Sequence, residues 1–211
     1  MNKAIYLSSA YLAPIEYYSK LLKYDQVFIE QYDNYTKQTY RNRCTIASTS
    51  GELALSIPVI KPDAPKCPMR DIRISDHGNW RHLHWNALFS SYNHTPFFEF
   101  YRDDFQPFYE KKYSFLIDFN SELCNLVCSL IDIQPTISYT EEYKTKLSLD
   151  EEDFRERIHP KKDWRTEDTD FISRSYYQVF QEQQGFLPNL SIIDLLFNMG
   201  PESLLILQNS L

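Results

Sequence analysis

Residues 4–29 read AIYLSSAYLAPIEYYSKLLKYDQVFI, and this stretch decides the fold class. Ala4–Leu7 has the apolar composition of a short strand, and Val27–Ile29 that of a second one. Between them, Pro14 suits the first position of a helix that continues to about Lys23. A strand, a loop, a helix and a strand in this order favour a parallel pair with a right-handed crossover. The opening therefore predicts an α/β fold.

The middle of the chain supplies further strands and helices. Alternating residues on both sides of a turn at Ser50-Gly51 predict a hairpin. Arg70–Ile74 alternates in the same way and predicts another strand. Three ranges have helical spacing and one short range is typical of a strand: Leu83–Tyr92, Phe97–Tyr109, Leu116–Ile131 and Ile137–Tyr139. Residues 141–170 are strongly charged and are expected to form a solvated loop, an exposed helix or a lid.

The C-terminal segment indicates two consecutive helices. Ser191 begins an apolar helix, and Gly200-Pro201 ends it and opens another. No flexible stretch divides the chain, and its length suits one large domain. We therefore predict a single α/β domain over residues 1–211, with a central mixed sheet flanked by helices and a helical C-terminus.

The composition limits the classes of molecule that this chain is expected to bind. The formal net charge is −7, whereas nucleic-acid binding draws most of its affinity from Lys and Arg, so nucleic acid is not expected. Acidic residues are concentrated after Phe100, so we expect a small anionic ligand to bind beside the first half of the chain. No stretch approaches a membrane span, and Ser8, Ser9 and Pro14 interrupt any leader-like run. The four cysteines form no CxxC pair. We expect a cytoplasmic protein without membrane insertion, and oligomerisation stays open.

Several common catalytic signatures are absent. The four glycines, Gly51, Gly78, Gly185 and Gly200, lie far apart, so neither GxGxxG nor a P-loop is present. There is also no GxSxG, HExxH or EF-hand pattern. The sequence indicates no particular cofactor and predicts no metal site.

Residues 35–43 combine cations, amides and phenols. If this segment is extended, Lys37, Arg41 and Arg43 project from one face and could clamp a phosphate or carboxylate, with Asn42 beside them. A polar hairpin edge explains the same composition, because Lys and Arg discourage aggregation there. Both interpretations stay open.

Residues 80–86, WRHLHWN, form the second candidate site. His84 could act in acid–base catalysis or make one structural hydrogen bond. Trp80 and Trp85 offer flat surfaces for a sugar ring, or they belong to the core. His82 and His84 lack partners at metal-site spacing.

Asp194 and Asn198 are polar residues in the apolar C-terminal segment, one helical turn apart. Asp194 could be a general base, or it could close a capping box begun by Ser191. Because functional groups of a parallel sheet commonly gather along one edge, we expect Tyr11 and Pro14 to lie near the helix that carries Asp194.

The order of these motifs resembles the WbqC-like family. The stretch from Leu190 to Asn198 followed by Gly200-Pro201 is similar to its closing LSIxDLLFNxGP signature. Further similarities lie in the approach to that signature, in the opening and in the cationic segment: Tyr177, Gln178, Phe186, Pro188; Tyr11, Pro14, Tyr17, Tyr18; Lys37, Arg41, Asn42, Arg43. The opening departs from the family's Gln-Pro pair, since Ser8-Ser9-Ala10-Tyr11 stands there.

The resemblance implies an association with bacterial O-antigen and capsule genes. Three hypotheses follow. The first is a group-transfer enzyme for a nucleotide- or lipid-linked sugar, with catalytic candidates His84 and Asp194. Its substrate-binding candidates are Tyr11, Lys37, Arg41, Asn42, Arg43, Trp80, Trp85 and Asn198. The others are a noncatalytic ligand-binding or scaffold protein of the same pathway and a metal-dependent hydrolase. The strand, loop and helix opening is also weakly similar to nucleotide-binding transferases that hold phosphates at a helix N-terminus.

Overall fold

The computed structural model describes residues 3–211. Its strands are β1 Ala4–Ser8, β2 Gln26–Glu30, β3 Arg43–Ser48, β4 Gly51–Ser56, β5 Ile137–Tyr139 and β6 Glu151–Asp153. Its helices are α1 Ile15–Lys23, α2 Trp80–Tyr92, α3 Phe98–Glu110, α4 Leu116–Leu130, α5 Trp164–Glu167, α6 Gln181–Gln184, α7 Ile192–Met199 and α8 Ser203–Asn209.

A four-stranded parallel sheet forms the centre, in the order β5-β2-β1-β6. The register pairs Ala4 with Gln26 and continues to Ser8 with Glu30. On the other side of β1, Ala4 pairs with Glu151. The predicted parallel pair and the helix between its strands are thus confirmed. Buried parallel strands carry apolar residues on both faces, and here Ile5 and Leu7 are buried on one face of β1 and Tyr6 on the other.

The hairpin of β3 and β4 forms a separate antiparallel sheet. The α/β class, the flanking helices and the helical C-terminus are confirmed, but the strands predicted as one mixed sheet lie in two. The hairpin nevertheless shares the core of the parallel sheet through buried Cys44 and Ile46.

The prediction of a strand at Arg70–Ile74 is wrong, because this segment forms no regular ladder with another strand within residues 3–211. A short 3-10 helix covers Met69–Asp71, and the remainder makes only isolated bridges, Val59 to Ile74 and Arg73 to Phe115. The alternation itself is real, because Ile72 and Ile74 are buried. Pro58 precedes the facing segment and has no N–H to donate, which limits regular pairing there.

The charged segment 141–170 contains a strand that the sequence did not indicate. β6 consists of Glu151, Glu152 and Asp153. Its ladder with β1 makes it the outermost strand on that side of the parallel sheet. Three acidic residues show no apolar alternation, so only the tertiary pairing with β1 makes them a strand. This segment therefore belongs to the fold and to its carboxyl edge.

Candidate functional site

All four parallel strands end at one edge of the sheet, and polar side chains gather there. Ser8 ends β1, Glu30 ends β2, and Arg155 follows β6. The chain places β2 on one side of β1 and β6 on the other. In open α/β sheets, ligands bind beyond the carboxyl ends of the strands at such a reversal of strand order. The space beyond the carboxyl ends of β1 and β6 is here named the carboxyl-edge crevice. It is lined by residues that include Ser8, Ser9, Tyr40, Arg41, Phe154 and Arg155.

Arg41 is the central cation of the carboxyl-edge crevice and is only 2% exposed. Its Nη2 donates to the Asp33 carboxylate, to Glu156 Oε1 at 2.8 Å and to Ser8 Oγ at 2.8 Å. Burial lowers the pKa of Arg41, but Asp33 and then Glu156 raise it more, so the guanidinium stays charged. Its Nε has no hydrogen-bond partner among the described residues 3–211.

Arg155 is a second buried cation at the same edge. Its Nη1 donates to Glu30 Oε2 at 3.0 Å, and its Nε donates to Asp153 Oδ1 at 2.9 Å. Ser8 joins the two arginines, since its hydroxyl donates to the Arg155 carbonyl at 2.7 Å while accepting from Arg41. The hydrogen bond with Asp153 is the largest cause that holds the pKa of Arg155 above its ordinary value.

The buried charges of the carboxyl-edge crevice balance, and two more exposed carboxylates are added to them, one on each arginine. Arg41 and Arg155 face the buried carboxylates of Asp33 and Glu30. Glu156 bonds Arg41 from a side chain that is 61% exposed. Burial raises the pKa of Asp33 although Arg41 opposes the rise, so this carboxyl protonates more readily than an ordinary one. Glu156 therefore occupies the part of Arg41 that an incoming anion could take.

The carboxyl-edge crevice is nearly closed. Its free volume is about 10 Å³, which is room for about one water molecule. The segment after β6 lines it with Ile158, and Glu156 on the same segment bonds Arg41. Further along this segment, Lys161 Nζ donates to Gln38 Oε1 at 2.5 Å. A larger ligand needs this segment to move.

Pro14 lies at the start of α7, as the sequence predicts for this residue. Pro14 and Ser191 form an antiparallel bridge, and the Ser191 hydroxyl donates to the Leu12 carbonyl at 2.6 Å. The same contact provides hydrogen-bond acceptors for the first backbone amides of α1. Ile15 N donates to the Leu190 carbonyl, and Glu16 N donates to Asn189 Oδ1. These amides are the groups that hold phosphate at a helix N-terminus. The similarity to transferases that use such a site therefore does not extend to α1.

Tyr11, on the loop between β1 and α1, belongs to a buried hydrogen-bond chain. Its hydroxyl lies 3.0 Å from His84 Nδ1 and 2.9 Å from the Tyr109 hydroxyl. The tautomer of the neutral imidazole decides which partner donates in each of these bonds. When Nε2 carries the proton, Nδ1 accepts from Tyr11, and Tyr109 then donates to the Tyr11 hydroxyl.

His84 is neutral at physiological pH. Burial is the largest cause that lowers its pKa to about 4, and the nearby Ser56 backbone only partly opposes this. A neutral ring with an accepting Nδ1 can take a proton from Tyr11 but has none to give at that atom. The arrangement suits a base and excludes the imidazolium as the resting form.

The two predicted tryptophans have different surroundings. Trp80 is buried against His84, with ring centroids 5.1 Å apart, and therefore belongs to the core. Trp85 is half-buried and lines a groove between α2 and α3. Only Trp85 offers part of its surface to a ligand without a change in packing.

Asp194 is 0% exposed and accepts three side-chain hydrogen bonds. Tyr92 donates to Oδ1 at 2.9 Å, and Tyr176 and Gln178 donate to Oδ2 at 2.6 and 2.9 Å. Burial raises its pKa, and the three donors oppose that rise. The capping interpretation is wrong, because the Ser191 side chain makes no cap bond to α7. The base role stays a prediction, with a carboxylate that is enclosed on all sides.

Asn198 supports the same region. Its Nδ2 donates to the Asp194 carbonyl at 2.7 Å, and its Oδ1 accepts from Val179 N at 3.1 Å. Both polar atoms are thus used within the fold, which ties α7 to the segment before α6.

The cationic segment is not extended, so its residues do not share a face. Gln38 has a φ of 60° and turns the chain. Lys37 is exposed, whereas Arg41 is buried in the carboxyl-edge crevice. Asn42 Nδ2 donates to the Ile57 carbonyl at 2.8 Å, and Arg43 Nε donates to Ser56 Oγ at 3.0 Å on the hairpin. Of the predicted cation cluster, only Arg41 lies at the sheet edge.

Sequence reasoning missed Arg155, Asp33 and Tyr109. Arg155 follows a strand that has no apolar pattern, and Tyr109 falls within an aromatic helix that gives no sign of its partner Tyr11. Asp33 was detectable in principle, because it follows β2 closely and polar residues after parallel strands commonly mark a site.

Within residues 3–211, no helix is long and apolar enough to cross a membrane. The same part of the chain holds no group of three or more His, Cys, Asp or Glu side chains arranged to bind a metal ion.

Comparison with known proteins gives one family and one relative. The model of the WbqC-like protein family matches residues 9–159 and 151–206. The uncharacterized protein Rv1507c of Mycobacterium tuberculosis (strain ATCC 25618 / H37Rv) is 26% identical over 229 residues, with 96% of each chain covered. No solved structure matches the chain.

Proposed function

Because the chain belongs to the WbqC-like protein family, we propose that it is a cytoplasmic group-transfer enzyme of bacterial surface-polysaccharide biosynthesis. Its substrate is a nucleotide- or lipid-linked sugar, and the diphosphate common to both binds in the carboxyl-edge crevice. The association of the family with O-antigen and capsule genes supports the substrate class.

The observation that carries the proposal is the position of two buried arginines at the reversal of strand order. Arg41 and Arg155 lie on either side of Ser8, where ligands of open α/β sheets bind. Planar guanidinium groups bind phosphate oxygens in pairs, and Arg41 Nε is still unused. Glu156 is the competitor that an incoming anion displaces most easily, because its side chain is mostly exposed. The diphosphate displaces Glu156 and takes its place on Arg41.

Proton transfer in this proposal runs through Tyr11. Of the two acid–base candidates, His84 is bonded to a residue on the β1–α1 loop, which also supplies Ser9 to the carboxyl-edge crevice. The acceptor oxygen forms a bond to the transferred group while the bond from that group to the diphosphate oxygen breaks, and the diphosphate leaves with the electron pair and stays on Arg41 and Arg155. The proton of the acceptor hydroxyl passes to Tyr11, and the Tyr11 proton passes to His84 Nδ1. The negative charge of the bound diphosphate offsets part of the burial effect that lowers the pKa of His84.

The proposal is tested by calorimetric titration with uridine diphosphate glucose and with farnesyl diphosphate as a short lipid diphosphate. Glu156→Gln removes the competing charge and should tighten binding about tenfold. Arg41→Lys keeps the charge opposite Asp33 but loses the planar fork, and should weaken binding at least tenfold. Glu167→Gln removes one carboxylate from an unrelated ion pair with Lys162 and serves as the control. Equal affinities for the parent and both crevice variants would contradict the site.

A noncatalytic ligand-binding role is the second candidate, and the burial of His84 and Asp194 favours it. The two functions differ in a deletion strain complemented with variants. His84→Gln retains an acceptor for Tyr11, so it should fold but lower polysaccharide output by the roughly 10²–10⁴-fold typical of a lost acid–base group. Full output from His84→Gln together with loss in Arg41→Lys would identify a binding protein instead.

A further inference from the structure

A groove between α2 and α3, here named the α2–α3 groove, is much roomier than the carboxyl-edge crevice. It encloses about 390 Å³, within the range of small-molecule sites. Its lining includes Asn79, Arg81, His82, Trp85, Gln106 and Tyr109. None of the residues that line it also lines the carboxyl-edge crevice.

Two aromatic side chains form the apolar part of the α2–α3 groove. The rings of Trp85 and Tyr109 lie 5.7 Å apart at an interplanar angle of 31°. Phe98 supports Trp85 from within the core at 6.1 Å, which fixes the indole in place. A rigid, half-buried indole presents a flat surface that suits the C–H face of a pyranose ring.

The charges around the α2–α3 groove cancel. Asp76 accepts from Arg81 at 2.6 Å and from Lys112 at 2.9 Å, while Glu110 accepts from Gln106 at 2.6 Å. Two cations and two carboxylates leave no excess charge for a phosphate. Amide, guanidinium, imidazole and carboxylate groups together can instead donate to and accept from hydroxyl groups.

Arg81 retains unused donors next to the α2–α3 groove. Its side chain is 12% exposed, and its Nη1 bonds Asp76. Its Nε and Nη2 have no hydrogen-bond partner within residues 3–211, although both atoms are buried. Leaving such donors unsatisfied is unfavourable, so a ligand that supplies oxygen acceptors after a small side-chain rotation gains from them. Adjacent hydroxyls of a sugar ring supply two acceptors at neighbouring positions.

We propose that the α2–α3 groove binds a neutral saccharide, with one pyranose ring stacked on Trp85 and adjacent hydroxyl oxygens on Arg81. The site is independent of the diphosphate site at the carboxyl-edge crevice. In the group-transfer proposal above, such a groove holds a part of the acceptor glycan that lies away from the reacting atoms.

Saturation-transfer difference NMR with cellobiose and with methyl 2-acetamido-2-deoxy-β-D-glucopyranoside tests the groove. The full chain should transfer saturation to the ring C–H protons of at least one probe. Trp85→Ala should lower affinity at least tenfold. Gln106→Ala removes another side chain that lines the groove and should lower affinity about threefold. This second variant decides the test if Trp85→Ala is poorly folded. Phe100→Ala removes an exposed aromatic ring on α3 outside the groove and should leave binding unchanged.

Addition of uridine diphosphate glucose separates the groove from the carboxyl-edge crevice. Binding of the neutral probes should persist in Arg41→Lys and in the presence of the nucleotide sugar. If the parent protein transfers saturation to neither probe, the proposal that the α2–α3 groove binds a saccharide is wrong. The same holds if both Trp85→Ala and Gln106→Ala leave the signals unchanged. Neither result bears on the diphosphate site, which has its own titration.

Discussion

Replacing Asp194 with Asn should destabilise the protein by more than loss of a helix cap does. The Asp194 carboxylate accepts from Tyr92, Tyr176 and Gln178 without any exposure to solvent. Asn keeps one accepting oxygen for Tyr176 and Gln178 and turns its NH₂ toward the Tyr92 hydroxyl. The Tyr92 oxygen already accepts from Ala47 N at 3.2 Å, so the Tyr92 proton loses its acceptor.

The magnitude follows from these three bonds. One buried donor left unsatisfied costs roughly 1–3 kcal/mol, and two bonds change from charge-assisted to neutral at about 0.5–1 kcal/mol each. Lower desolvation of the neutral amide offsets part of the sum, because burial raises the pKa of Asp194 and so disfavours its charge. We expect a net loss of about 2–3 kcal/mol.

Urea unfolding at pH 7 measures this loss, and Asp170→Asn is the control. Asp170 forms an exposed ion pair with Lys23, so its loss should change the free energy of unfolding by less than about 1 kcal/mol. A change under about 1 kcal/mol for Asp194→Asn would refute the three-bond account. Polysaccharide output per folded molecule should survive; a stable but inactive variant would instead support the predicted base role.

Two further changes test other parts of the fold. Burial raises the pKa of Glu16 to about 7, so the folded state binds this proton more tightly than the unfolded one, and stability should fall by up to about 3 kcal/mol as pH rises from about 4.5 to about 7. Glu16→Gln should remove most of that slope in urea titrations, and an unchanged slope would assign it to other groups. Gly200→Ala places a Cβ 2.4 Å from the Phe97 ring, whereas Gly185→Ala at a similar positive φ meets nothing within 4 Å. The first should lower the free energy of unfolding by at least about 2 kcal/mol more than the second, and equal losses would count against the close approach.

The opening of the chain was predictable because its patterns are local. The apolar strand, the proline-led helix and the second strand each carry their own signal, and right-handed crossover geometry orders them. The meeting of Pro14 with Ser191 was also predictable, since both lie beside polar residues in apolar segments. Local pattern and chain topology thus give the fold class and one essential long-range contact.

The arrangement of the carboxyl edge was not predictable from local pattern. β6 is an all-acidic strand whose pairing with β1 depends on tertiary structure, and Arg155 is placed by that strand. The sequence identifies Arg41, but only an extended segment would align it with Lys37, and the turn at Gln38 separates the two residues. Long-range ion pairs such as Arg41 with Asp33 leave no periodic trace in the sequence.

Backbone amide NMR during titration with uridine diphosphate glucose tests the central claim most directly. The diphosphate should shift the signals of Ser8, Ser9, Arg41 and Arg155 together, and Glu156→Gln should produce the same shifts at about tenfold lower ligand concentration. Shifts confined to residues away from the carboxyl ends of β1 and β6, or no shifts at millimolar ligand, would contradict a diphosphate site at the carboxyl-edge crevice.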